Sequence, residues 1–430
     1  VAQFRTDTSK LDNSHLITRY EVGMLSDRLT PGGSMVDAFG KLRISQPYTL
    51  FDSSHRYQDN GKWSTTNTSS SFTTYQVNES VIDMTVKTAV NAEVVRETYR
   101  VFTYQPGKSM LNLNTFVMND DSTKTGLRQR VGLFNSNNGV FLEKLGANLY
   151  FVLRSKTTGT VVDTRVLQSN WNKDTFTSNT YSTQTGINFT NGLDVTKVNI
   201  LWFDIGGLGA GDVRCGFVVD GRPLQAHVFH NENMSYSSYM TTASLPLRYE
   251  IKNTLATSSN STLKQISSSV ISEGGYEKVT PMTVVRSTSN TTISTAASFV
   301  PILSVRLASD RLDAVIVPAQ MNFFPTSSDN FEVALIKNAT LTGESYDTST
   351  YANIDVDRSA TAMTGGTMVR HEYVAATNQS GVPLNKLTDY NFEMQLGRTT
   401  GGVSDVLTLA ARVLTGTGTG MGSLSFYDLT

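Results

Sequence analysis

Residues 198–251 read VNILWFDIGGLGAGDVRCGFVVDGRPLQAHVFHNENMSYSSYMTTASLPLRYEI, and this stretch decides the fold. Residues 198–204 form a strand that runs into the glycine cluster 206–211. Residues 213–219 form a second strand, Asp220-Gly221 a two-residue hairpin turn, and 224–229 a third strand. Short β-rich runs joined by tight turns describe an antiparallel meander. A phosphate-binding loop needs its glycines to open a helix, whose N-terminal amides hold the anion. Here a strand follows, so the cluster is read as a hairpin loop.

The same pattern extends on both sides. In 110–118, Leu111, Leu113, Thr115 and Val117 fall on one face and Asn112 and Asn114 on the other. Residues 130–133 and 140–142 flank Asn135-Ser136-Asn137-Asn138-Gly139, a hairpin signal. Leu149, Phe151 and Leu153 alternate with Tyr150 and Arg154, and 156–159 turn the chain into a strand over 160–167. The polar stretch 168–184 is expected to be a long loop. A second strand-rich block has expected strands at 299–307, 314–317, 331–336, 367–374, 391–396, 405–413 and 423–427. Residues 343–366 read as a long loop or an edge excursion, and TGTGTGMG (415–422) as a low-complexity turn. No fixed-period repeat is present, which argues against a solenoid or propeller.

Composition agrees. At 430 residues the chain exceeds what one core organises, so more than one domain is expected. Charged residues make up 17%, and Ser, Thr, Asn and Gly fill the deficit, which suits strands and turns rather than helices. The formal net charge of −1, with scattered Lys and Arg, argues against nucleic-acid binding and favours self-association. No apolar run approaches the ~20 residues of a membrane-spanning helix, so no membrane insertion is expected. The opening VAQFRTDTSK has no signal-peptide core. Cys215 is the single cysteine, and its place in a strand reads as a small buried hydrophobe.

Candidate chemistry is sparse. His227 and His230 are three apart on a strand and its end, so they point to opposite faces and make a poor metal pair. Asp204, Asp212 and Asp220 sit at strand ends, and Asp355 and Asp357 alternate in YANIDVDRS. These read as turn formers ahead of a glycosidase pair or calcium ligands. Asn-x-Ser/Thr triplets at Asn67, Asn78, Asn233, Asn260 and Asn290 are read as chance products of composition. No catalytic, cofactor-binding or metal-binding pattern is assigned. Trp202 is read as core, whereas Trp63 and Trp171, in polar surroundings, are the surface aromatics expected to serve a glycan or an interface.

Two stretches carry a family resemblance. MVDAFGKLRISQPYTLFDSSHRY (35–57) and the phrases F-D-I-x-x-L-G-x-G, V-R-x-G-F-V-x-D-G and Y-M-T-T-x-x-L-P-L-R-Y-E-I within 202–251 resemble virion structural proteins of tailed phages from environmental and marine samples. SSSVISEGGY (267–276) extends the likeness, which covers about a fifth of the chain. Gly206-Gly207 departs from it, since a bulkier residue is usual there. The resemblance implies a non-enzymatic component of a virus particle (minor capsid, decoration, spike or tail appendage), made in the host cytoplasm and located in the virion. It implies other virion proteins as partners.

The expectation is therefore an all-β chain: an N-terminal arm over 1–57, a lectin-like jelly-roll sandwich over 58–276 and a second β-sandwich over 277–430. Homo-oligomerisation is expected, with Phe39, Leu42, Arg43 and Ile44 of the arm contacting a partner subunit. A glycan-binding attachment module, with host-surface glycan as partner, is the alternative function. A polysaccharide-degrading enzyme ranks behind it.

Overall fold

A computed structural model describes residues 45–119, 123–177, 192–207, 209–219, 221–277, 282–294, 298–375 and 394–430. Residues 47–430 form one compact unit. The described residues are strands and connections with short 3-10 turns such as Gln168–Asn170. Every strand pairing among them is antiparallel. The all-β sandwich expectation is met.

In chain order the first strands are β1 (Tyr48–Ser54), β2 (Trp63–Thr68), β3 (Phe72–Gln76), β4 (Val81–Val86) and β5 (Glu93–Thr98). Then come β6 (Met110–Val117), β7 (Leu127–Phe134), β8 (Gly139–Leu145), β9 (Asn148–Ser155) and β10 (Val162–Leu167). The set closes with β11 (Asn199–Ile205), β12 (Val213–Val219), β13 (Arg222–Phe229), β14 (Leu247–Asn253) and β15 (Ser261–Ser272). One sheet runs β13-β12-β11-β6-β15-β4-β3, with β1 also on β15; the other runs β10-β9-β8-β7-β14-β5-β2. Their inner faces share one hydrophobic core. Phe151 of β9 meets Phe203 of β11 edge-on at 6.0 Å, and the Tyr249 hydroxyl of β14 lies 2.9 Å from Ser268 Oγ of β15.

The second set is β16 (Met282–Arg286), β17 (Thr291–Ile293), β18 (Val300–Leu307), β19 (Ile316–Pro325), β20 (Phe331–Lys337) and β21 (Thr340–Thr342). It continues with β22 (Tyr346–Asp347), β23 (Ile354–Asp357), β24 (Ala362–Thr364), β25 (Thr367–Val374), β26 (Val406–Val413) and β27 (Gly418–Asp428). Its main sheet is β22-β23-β18-β26-β20-β25, faced by β16-β27-β17 with β19 on β27. Phe323 and Phe331 close the gap between these sheets at 5.2 Å. Val315 and Val317 belong to the first core, so the two sandwiches share apolar contact.

Local chemistry explains the elements. The β7–β8 hairpin is held by Asn135, whose Oδ1 accepts from the amides of Asn137 and Asn138, each at 2.8 Å. β6 strictly alternates, but it is Met110, Asn112, Asn114 and Phe116 that face the core, while the Leu111 to Val117 row is half-covered. Burying Asn costs free energy unless it is paired. Asn114 donates to Asn112 within the core, and Asn112 Nδ2 has no hydrogen-bond partner among the described residues.

Three expectations are corrected. Tyr48–Ser54, placed in the arm, is a strand paired with β15. The turn expected over 415–422 is largely strand: from Gly418 onward it belongs to β27, and Phe331 and Phe323 occupy the space where Cβ atoms of Gly418 and Gly420 would sit. The strand expected over 391–396 is not formed at its described end, where Leu396 instead donates its amide to the Ile316 carbonyl at 3.0 Å. Of the two readings of 343–366, the edge excursion fits: the stretch holds the short strands β22, β23 and β24, with β22 and β23 at the edge of the sheet next to β18.

Candidate functional site

The predicted aromatics are not on the surface. Trp63 and Trp171 are each 4% exposed, which corrects their assignment as glycan or interface residues. Trp63 opens β2 with its side chain inward, packs edge-on against Phe51 and Tyr249, and donates its indole N–H to Ser53 Oγ at 2.8 Å. Trp171 packs against Phe151 with its ring tilted, centroids 4.5 Å apart, and donates to the Val166 carbonyl at 3.2 Å. In both cases the polar end of the ring has a partner, which lets the rest be buried. Phe39, Leu42, Arg43 and Ile44 lie outside the described residues.

The remaining candidates take structural roles. Cys215 is fully buried and burial raises its thiol pKa. His227 is a buried sheet residue, and burial with the nearby charges of His230 and Lys173 holds its pKa near 4. His230 lies past the strand end, 3.0 Å from Asp212. Asp355 accepts from Arg306 at 3.0 Å, and Asp357 caps a turn through the amides of Ser345 and Ser359. Asp220 lies outside the described residues. Among the described residues no group of three or more His, Cys, Asp or Glu could hold a metal ion.

The densest chemistry is on the outer face of the sheet β10-β9-β8-β7-β14-β5-β2, where cross-strand register sets opposite charges against each other. Asp163 faces Arg154, Arg130 faces both Glu143 and Glu250, and Arg248 faces Glu97. Glu250 accepts from Arg128 at 2.8 Å, Arg130 at 3.3 Å and Arg248 at 2.9 Å. Glu143 accepts from Arg130 at 2.7 Å and Arg165 at 2.8 Å. Arg154 grips Asp163 with two bonds, 2.7 and 3.0 Å. Arg130 and Arg154 also lie over the Phe141 ring, and Arg248 lies over Phe134. At the edge of this lattice Arg398, from the second sandwich, donates to Glu97 and, at 3.4 Å, to Asp313.

The electrostatics follow from this pairing. Burial disfavours the charge on Glu250, but the surrounding arginines overcome it and hold its pKa down at about 2. Glu143 and Asp163 are likewise below their ordinary values, with arginine hydrogen bonds and charges outweighing burial. A general acid must keep its proton near neutral pH. These carboxylates do the reverse, so the lattice clamps strands together and has no proton to give. Asp204 differs: burial and then the charge of Glu273 raise its pKa, with Arg214 opposing at 3.5 Å. Ser109 Oγ donates to Glu273 at 2.6 Å.

The sequence reading missed the lattice. Its signal was present as charges two apart on strands, Arg128 with Arg130 and Arg248 with Glu250, each pair sharing a face. Which strands lie side by side was the missing information.

A scan against protein-family models finds none that matches, and a search of curated proteins finds no match either. Among solved structures, the Bacillus licheniformis β-glucanase is similar at a TM-score of 0.33 and 8% identity, covering 55% of this chain and 100% of that one. The carbohydrate recognition domain of Emp46p is similar at 0.32 and 11%, covering 54% and 97%. A protein of unknown function from Shewanella oneidensis is similar at 0.35 and 10%, covering 63% and 97%. Likeness at this level carries no weight for activity or ligand.

Proposed function

We propose that the chain is a non-enzymatic structural component of a tailed-phage particle: a minor capsid, decoration, spike or tail-appendage protein. It assembles in several copies, with the residues ahead of β1 docking it to its partners. The observation that most supports this reading is the ion-pair lattice. The carboxylates of Glu97, Glu143, Asp163 and Glu250 are engaged by arginines that bind strand to strand and one sandwich to the other. Such an arrangement suits a rigid appendage, and it leaves Glu143, Asp163 and Glu250 without a proton to donate near neutral pH. The phage-like phrases at 35–57 and 202–251 supply the particle assignment.

A glycan-binding attachment module is the alternative, and a particle appendage can be both. An enzymatic role would run through Asp204 and Glu273, where one raised carboxyl neighbours another. The test is co-sedimentation: the chain should travel with purified particles through a density gradient at constant stoichiometry. A chain that stays in the soluble fraction refutes the particle role. Release of reducing sugar from host polysaccharide that disappears in Asp204→Asn refutes the non-enzymatic one.

A further inference from the structure

We propose that two copies of this chain pair through β10, edge to edge and antiparallel, about a two-fold axis at Thr164. β10 ends its sheet. Among the described residues its one strand partner is β9, and their register runs without a shift from Val162 to Leu167. The other edge of β10 has no strand beside it, and such an edge is a template for a further strand.

Other end strands are guarded. At β13 the Ala226 carbonyl accepts from the amides of Lys173 and Asp174, each at 3.0 Å, and Asn172 bonds both the amide and the carbonyl of Val228 at 2.9 Å. At β2 the Thr400 amide donates to Ser64 Oγ at 3.0 Å, and β25 is bulged against β20 between Leu335 and Ile336. On β10 the Val166 carbonyl accepts from the Trp171 indole but keeps a second lone pair. The strand instead carries apolar side chains into water: Val161, just before it, is 44% exposed and Val162 is 48% exposed.

The side chains select a second copy as the occupant. Residues 161–167 read VVDTRVL, and this order complements itself when reversed. With Thr164 opposite Thr164 of the second copy, Asp163 faces Arg165, Val162 faces Val166 and Val161 faces Leu167, each pair occurring twice. Opposite charges and apolar pairs directly across a ladder stabilise it, and like charges there oppose it. Moving the axis by one residue in either direction sets Asp163 against Asp163 or Arg165 against Arg165, so the charges fix the register. Arg165 has capacity for the contact. Its Nε donates to Glu143 and its Nη2 to Asp163, each at 2.8 Å, while Nη1 has no hydrogen-bond partner among the described residues. Its side chain is 39% exposed. The pairing carries the ion-pair lattice across the axis and joins two seven-stranded sheets into one, in a closed two-fold dimer.

The proposal deepens the reading that the chain assembles in several copies and rests on that part of it alone. Its test uses the purified full chain, so its failure and the failure of co-sedimentation with particles are separate results. Light scattering after size exclusion should give an even multiple of the chain mass. Val162→Lys places a charge at an exposed edge position and should halve that mass with circular dichroism unchanged. Thr164→Cys should give a disulfide-linked dimer on mild oxidation, because the axis sets this position opposite itself. Thr158→Cys, in the exposed turn before β10, should not, and Cys215 is buried away from the reaction. A monomeric wild-type chain overturns the proposal. So does an unchanged mass in folded Val162→Lys, or Thr158→Cys cross-linking as readily as Thr164→Cys.

Discussion

Replacing Glu250 with Gln probes the ion-pair lattice at a buried carboxylate that three arginines share. The carboxylate sits among Arg128, Arg130 and Arg248, and its pKa is down at about 2 from an ordinary 4.5. At about 1.4 kcal/mol per pH unit, that gap is worth about 3 kcal/mol of folding stability at neutral pH. The folded pKa lies below the unfolded one, so the stabilisation is complete above pH 4.5. It is lost progressively as pH falls toward 2. Breaking a buried pair by removing one partner costs about 3–5 kcal/mol, which agrees. Urea unfolding followed by tryptophan fluorescence reads the first sandwich, because Trp63, Trp171 and Trp202 are all buried in it. Glu250→Gln should lose about 3 kcal/mol at neutral pH, and the loss should shrink as pH approaches 2. A loss below about 1 kcal/mol, or one equal at both pH values, would refute the reasoning.

Other consequences are as direct. Arg398→Ala removes a partner of Glu97 and Asp313 at the junction, so it should cost about 3 kcal/mol and split a single calorimetric transition into two. One unchanged transition would deny the clamp. His55 and His227 both have pKa values near 4, lowered by burial and then by neighbouring positive charge. The part of the stability that these histidines govern should therefore fall as pH drops from 6.5 toward 4, above the range where Glu250 titrates, with the slope there reduced in His227→Gln; an unaltered slope would contradict the assignment. Phe39→Asp combined with Leu42→Asp should block incorporation into particles while leaving the circular dichroism of the folded chain unchanged. Normal incorporation would remove the arm from the docking role.

The fold was legible where its signal is local. β12 and β25 coincide with the strands expected from alternation, and the β7–β8 hairpin follows from Asn135 and the turn after it. Signals that depend on which strands become neighbours were not legible. Trp63 and Trp171 sit among polar residues in sequence, yet Phe51, Tyr249 and Phe151 from distant strands enclose them. Only the second half of β27 reads as a strand, at 423–427; its first half reads as a turn from composition, although TGTGTGMG alternates strictly, with Gly418 and Gly420 on the face that meets Phe331 and Phe323. Asn112 and Asn114 look like an outer row, because alternation gives two faces without saying which one is covered. The lattice depends on contacts across more than a hundred residues, such as Arg398 to Glu97 and Arg128 to Glu250.

The proposed place of this protein is on a phage particle. Immunogold electron microscopy of purified particles, with antibody to this chain, tests it most directly. The account predicts gold at a fixed position on head or tail. Bare particles, with the protein confirmed in the soluble fraction of the same preparation, would contradict it.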